Sequence, residues 1–201
     1  MSGTEVISGL AWGVASHAYP GEQVCGDAHV VAPFDGGVLT GVIDGLGHGA
    51  EAARASQAAV ASLTQTAGRP LTDAVAACHA DLRRTRGAAL ALAMFHPAEG
   101  RMSWIGVGNV EAVLFTVSGR QTIVPRAGVV GYQVPSLRET SLPLAVGDVL
   151  IVASDGVSSR FCERRPLADD PEAAARALLD AYGIARDDGM VLVARYLGVC
   201  A

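Results

Sequence analysis

The chain has 201 residues, half of them hydrophobic and 17% charged, and a net charge of −5. That length suits one domain, expected to span residues 1–201, with one sizeable core. The composition excludes a disordered chain, and no segment approaches the roughly 18 consecutive apolar residues of a membrane span. The acidic balance excludes an electrostatic nucleic-acid binder. The one basic run, Arg83-Arg84-Thr85-Arg86, reads as the solvated end of a helix and not as a basic stripe.

Three strands are predicted first, over 7–17, 27–32 and 37–43, the last bounded by glycines. An Ala-rich helix follows over 50–66. Pro70 then opens a second helix in which Leu71, Val75, Cys78 and Leu82 recur at helical spacing. From residue 88 the period changes. Short apolar runs over 88–95, 102–107 and 111–117 are separated by Gly, Pro and Asn, and further strands are expected at 121–124 and 138–142. The run 148–153 reads as a buried strand, 171–181 as a helix with proline at its start, and 190–196 as a closing strand. Strands and helices do not alternate regularly, so the pattern predicts an α+β chain of mostly antiparallel sheet covered by helices. Trp12 and Trp104 are expected in the core.

The cysteines, Cys25, Cys78, Cys162 and Cys200, form no CxxC pair and match no zinc spacing. Each lies in or beside an apolar stretch, so buried free thiols are expected, as suits a reducing compartment. Residues 1–18 carry no Lys or Arg and no long apolar run, so no signal peptide is expected. The expected location is the cytoplasm.

The chemistry lies in the acids. Asp27, Asp44, Asp155 and the pair Asp187-Asp188 each stand at the end of an apolar strand beside glycine or another acid. Any one of them could be a turn residue, because Asp-Gly is common turn chemistry. Four such sites spread along the chain fit turns less well. Carboxylates brought together at buried strand ends need cations. Oxygen ligands without His or Cys select magnesium or manganese, and two such ions form a common hydrolytic device. There is no GxSxG, Walker A or HExxH motif. The segment Gly45-Leu46-Gly47-His48-Gly49 lacks GxGxxG spacing and reads as a metal-site turn leading into a helix. His17, His29, His79 and His96 are scattered without ligand spacing. Arg126 is a lone arginine that could touch a phosphate.

The series Gly26-Asp27, Asp44-Gly45-Leu46-Gly47-His48-Gly49, Ser154-Asp155-Gly156 and Arg186-Asp187-Asp188 resembles the motifs of metal-dependent type-2C protein phosphatases. The DGxGHG form resembles their bacterial SpoIIE branch, in particular the stand-alone phosphatases of stressosome pathways. Thr85-Arg86-Gly87, Gly106-Val107-Gly108-Asn109 and the segment 126–131 are similar to that group too. The resemblance implies an α-β-β-α sandwich, two mainly antiparallel sheets flanked by helices, with two Mn2+ or Mg2+ ions at one end. It implies that Asp44 bridges both ions, that the Gly45 carbonyl binds the first, that Asp155 and Asp187 hold the second, and that Asp27 acts through water. Asp44 and Asp27 are thus the expected catalytic residues. The implied reaction removes phosphate from phosphoserine or phosphothreonine on a STAS-type regulatory protein in a partner-switching pathway. The sequence departs from the family at Met190, where the closing motif usually has Thr. His48 stands three residues after Gly45, not directly after the Asp-Gly, so no general-acid role is carried over to it. Two other readings remain open at this stage: a catalytically silent module that docks a phosphorylated partner, and a hydrolase of small phosphate esters.

Overall fold

The computed structural model describes residues 5–134, 136–163, 165–166 and 168–199. Cys200 lies outside them. In chain order the elements are β1 (Glu5–Ile7), β2 (Leu10–His17), β3 (Asp27–Phe34), β4 (Gly37–Gly45), α1 (Gly49–Gln65), α2 (Leu71–Asp81), β5 (Ala88–His96), β6 (Arg101–Val107), β7 (Glu111–Thr116), β8 (Gly119–Ile123), β9 (Thr140–Pro143), β10 (Val149–Ala153), α3 (Pro171–Tyr182) and β11 (Gly189–Tyr196). Short 3-10 turns sit at Leu82–Arg84, Pro97–Glu99 and Ser159–Glu163.

Two antiparallel sheets carry the structure. One has the order β1-β2-β11-β10-β7-β8, the other β3-β4-β5-β6-β9. The central strands β4, β5 and β10 read as continuous apolar runs because both faces are buried. In β4, Val38 and Val42 face the space between the sheets, while Leu39 and Ile43 face the helices. In β5, Ala89, Ala91, Ala93 and Phe95 face inward and Leu90, Leu92 and Met94 face outward. The helices α1 and α2 cover the second sheet. The apolar face of α2 (Leu71, Val75, Cys78, with Leu82 beyond) is fully buried there. The first sheet is covered by α3, with Ala174, Ala175 and Leu178 against Ile151, Val191 and Val193. The layers are therefore α-β-β-α, as expected.

Helix starts follow local rules. Asp170 caps α3 by accepting from Ala173 N at 2.7 Å, with Pro171 in the first turn. Pro70 stands at the cap of α2, just before its first residue.

Three expectations need correction. The first predicted strand is two, because Ser8 (φ 46°) and Gly9 (φ 75°) turn the chain between β1 and β2, and the two strands then pair with each other. Cys78 and Cys162 are buried free thiols, but Cys25 is only half-buried, its Sγ donating to the His17 carbonyl at 3.2 Å. Trp104 is buried in the inter-sheet core, whereas Trp12 lies partly exposed at its margin, with its ring 5.7 Å from that of His29.

The helix α3 lies directly on β2. A Cβ at Gly13 would come within 2.3 Å of Glu172 N and 2.4 Å of its Cα. Gly13→Ala is therefore expected to lose about 1–3 kcal/mol of stability through overpacking. The check is a lower urea midpoint at unchanged slope.

Candidate active site

Strand pairing gathers the acids at one end of the sandwich. Asp27 opens β3 and Asp44 closes to the end of β4, and the two are direct register partners. On the facing sheet, Asp155 follows β10, and Asp187 and Asp188 precede β11. Ser154 joins the two sheets here. Its Oγ donates to Asp27 Oδ2 at 2.6 Å and accepts from Met190 N at 2.9 Å, while its own N–H donates to the Met190 carbonyl at 3.1 Å.

The remaining acids have their own supports. Asn109 Nδ2 donates to Asp155 Oδ2 at 2.5 Å. Asp188 N–H donates to Asp187 Oδ1 at 2.9 Å. Asp188, almost fully buried, accepts from Tyr19 N at 2.8 Å through Oδ1, and its Oδ2 has no partner. Three glycines make room. A Cβ at Gly26 would lie 2.7 Å from Asp188 Oδ2, one at Gly45 would lie 2.2 Å from the Ala52 carbonyl oxygen, and one at Gly156 would strike the Asp188 carbonyl. A side chain at Gly45 or Gly156 would displace backbone, and one at Gly26 would displace the Asp188 carboxylate.

The electrostatics follow from this crowding. Burial, and then the negative charges of Asp27, Asp155 and Asp187, push the Asp44 carboxyl up to about 9, and the Asp155 carboxyl lies within hydrogen-bonding reach of it. Burial pushes Asp27 up to about 7 against the lowering effect of the Ser154 hydrogen bond, with Asp188, Asp155 and Asp187 adding to the rise. Asp187 is raised by burial and then by Asp155. Among the described residues, no group of three or more His, Cys, Asp or Glu side chains is arranged to hold a metal ion as it stands. The donor set nonetheless fits a hard divalent cation. It consists of carboxylates, it adjoins the buried Asp188 Oδ2 that has no partner, and it is short of positive charge.

The structure brings Asp27, Asp44, Gly45, Asp155 and Asp187 to one end, with Asp188, the second acid of the pair seen in the sequence, beside them. It adds one group that the sequence had not marked as a site residue, Arg86. A Cβ at Gly47 would lie 2.7 Å from Arg86 Nη1, so its guanidinium rests on the Gly45–Gly49 loop. The neighbouring Gly87 carbonyl accepts from Leu46 N at 3.1 Å, which ties the Thr85-Arg86-Gly87 segment to that loop. The Arg86 guanidinium forms no ion pair with another described residue. Its only sequence signal was the family-like Thr-Arg-Gly motif. His48 is held in place as well, its Nδ1 2.8 Å from Glu22 Oε1 and its ring stacked on Tyr19 at 4.2 Å. Arg126 is not brought to the acids. Its guanidinium donates to the Ser136 carbonyl at 3.1 Å and lines a cleft that contains none of them. His29 and His96 pack against aromatic rings, and His79 Nδ1 accepts from Gly131 N at 3.0 Å.

Two sheets between helices are also the fold of the type-2C phosphatase domain of SpoIIE from Bacillus subtilis, which superposes at TM-score 0.81 with 20% identity over 96% of this chain and 64% of that one. Residues 35–197 match the family model of stage II sporulation protein E (SpoIIE), and the chain belongs to that family. It is 24% identical to the phosphoserine phosphatase RsbX of Bacillus subtilis (strain 168), over 69% of this chain and 70% of RsbX. A chain solved in work on the bacterial stressosome, a modular system adapted to control secondary messenger signaling, is 34% identical. That match covers 92% of this chain and 99% of the other, at TM-score 0.86. The crystal structure of RsbX in complex with magnesium superposes at TM-score 0.85, with 20% identity over 96% of this chain and 98% of that one.

The raised carboxyls fix the sign of a pH effect. A carboxyl raised above its ordinary 3.8 keeps its proton in the folded chain after the unfolded chain has released it. In chelator, stability should therefore fall as pH rises from the ordinary value through about 7 and about 9. The stabilisation from added magnesium or manganese should grow over the same range, because the cation binds the ionised form. Melting temperatures with chelator and with metal, compared across that range, check this. A metal-induced gain independent of pH would remove these acids as ligands.

Proposed function

We propose that residues 1–201 act as one metal-dependent phosphatase domain that removes phosphate from phosphoserine or phosphothreonine on a regulatory protein. The observation that carries this reading is Asp44. It sits at the end of a buried strand with three other carboxylates as its charged neighbours, an arrangement that is unfavourable unless cations join it. In this reading Asp44 would hold two Mn2+ or Mg2+ ions, the Gly45 carbonyl would bind the first, Asp155 and Asp187 would hold the second, and Asp27 would act through water. When bound, such a pair activates a water for direct attack on phosphorus and offsets phosphate charge.

The chain's own groups hold this arrangement. Ser154 fixes Asp27, Asn109 fixes Asp155, and Tyr19 N fixes Asp188. Arg86, resting on the Gly47 turn with an exposed guanidinium, is placed to bind a phosphoryl oxygen by charge-assisted hydrogen bonds. Kinship with RsbX and with a stressosome chain supports a STAS-type phosphoprotein of a partner-switching pathway as substrate. Three described free thiols support a reducing, cytoplasmic setting. No described helix is long and apolar enough to cross a membrane.

Phosphate release from a phosphoserine or phosphothreonine peptide, titrated with manganese, tests the reading. Wild type should turn over with a rate that rises with metal. Asp44→Asn should lose at least about a hundredfold. Full activity in that variant would remove Asp44 from the chemistry. Silence in both, with phosphopeptide binding retained at saturating manganese, would identify a docking module instead. Arg86→Ala should raise KM about tenfold, with a smaller effect on kcat, as read from steady-state kinetics.

A further inference from the structure

The connection between β8 and β9 is stitched to the start of β5 and the end of β6. Arg126 N donates to the Gly106 carbonyl at 3.0 Å, and the Arg126 carbonyl accepts from Gly108 N at 2.8 Å. Val130 and Ala88 exchange two backbone bonds, at 2.8 and 3.0 Å. Asn109, the residue after Gly108, reaches Asp155. This backbone therefore adjoins Ala88, the register partner of Gly45, and the turn carrying Asn109, two neighbours of the carboxylate cluster.

What the connection presents outward serves nothing in that cluster. Val124 is 79% exposed and Tyr132 is 83% exposed. Arg126 and Arg138 are exposed too. Arg126 uses one N–H on the Ser136 carbonyl, and neither arginine forms an ion pair with a described residue. Both line a cleft of about 240 Å³ between the edge strands β8 and β9, together with Trp104, Gln121, Thr122 and Thr140. No Asp or Glu lines this cleft. The acid next to Arg138 in sequence, Glu139, is turned toward α2, where its Oε2 accepts from Leu71 N at 3.0 Å.

In a chain of net charge −5, two uncompensated arginines in an acid-free cleft are a local reversal of sign. Charge complementarity across an interface steers encounter and selects partners. Exposed Tyr and Arg are the residue types that anchor protein interfaces. We propose that the β8–β9 cleft, with Val124 in its lining and Tyr132 further along the same connection, docks an acidic segment of the phosphoprotein substrate while the phosphorylated side chain reaches the carboxylate cluster. The proposal rests on the phosphatase reading above, and it names the surface by which that substrate is chosen.

Binding and turnover are read separately on the full chain. Fluorescence anisotropy follows a short labelled peptide rich in Asp and Glu, without phosphate, beside a Lys-rich peptide of equal length. Hydrolysis of p-nitrophenyl phosphate in manganese follows the metal site on the same preparations. Wild type should bind the acidic peptide and not the basic one, and more weakly as salt rises. The double variant Arg126→Glu/Arg138→Glu should lose at least about tenfold in affinity, and Tyr132→Ala should lose several-fold. Both should hydrolyse p-nitrophenyl phosphate at the wild-type rate and melt at the wild-type temperature. Equal binding of the two peptides by wild type, or unchanged binding by the double variant, overturns the docking surface. Joint loss of binding and hydrolysis in the double variant also overturns it, by giving the arginines a structural role in the site. Charge-selective binding by a wild type that hydrolyses nothing supports the docking surface and overturns the phosphatase reading.

Discussion

Repulsion among carboxylates is the constraint around which this fold is arranged. Asp27, Asp44 and Asp187 are all held above the ordinary range of a carboxyl, by burial first and then by one another. Left to itself, such a cluster would disperse into solvent. The sandwich does not allow it. Asp27 and Asp44 are locked opposite each other by the β3–β4 register, and Ser154 ties that pair to the start of β11 on the facing sheet. The energy that offsets the repulsion comes from elsewhere, from one apolar core between the sheets and two more beneath the helices. Stability is thus built away from the site.

A second set of groups keeps the acids from collapsing onto their neighbours. Backbone donors and neutral side chains hold them: Tyr19 N on Asp188, Asn109 on Asp155, Ser154 on Asp27. Such partners orient a carboxylate without cancelling its charge, as a lysine or arginine salt bridge would. The cations nearby are kept apart from this task. Arg86 rests over the Gly47 turn, and His48 is engaged by Glu22 and Tyr19. In the proposed reading, this division leaves the carboxylates for metal and the Arg86 guanidinium for an incoming anion.

Much of the fold was legible because burial leaves a periodic trace. The helical spacing of Leu71, Val75, Cys78 and Leu82 marked a face that is wholly buried, and the unbroken apolar runs of β4, β5 and β10 marked strands covered on both sides. The turn at Ser8-Gly9 was not legible, since a single glycine in an apolar run does not announce a reversal. The acids at strand ends stood out singly, and the family-like motif series grouped them. Their supports did not stand out. Ser154 meets Asp27 across 127 residues, and Tyr19 meets Asp188 across 169. Contacts of that range are set by sheet order, which no local pattern encodes. Arg86 was hidden for the same reason, inside a basic run that read as a solvated helix end.

Met190 shows how a departure from a family motif is read once its surroundings are known. Its side chain belongs to the inward row of β11 with Leu192 and Ala194, almost fully buried between the sheets. Its backbone carries the link to the site, donating to Ser154 Oγ and accepting from Ser154 N. The hydroxyl that bridges this strand to Asp27 is therefore on Ser154 and does not depend on the side chain at 190. A threonine there would place a hydroxyl in an apolar layer and require a partner for it. Methionine fills the same space without that demand. The substitution changes how the core is filled and leaves the support of Asp27 intact.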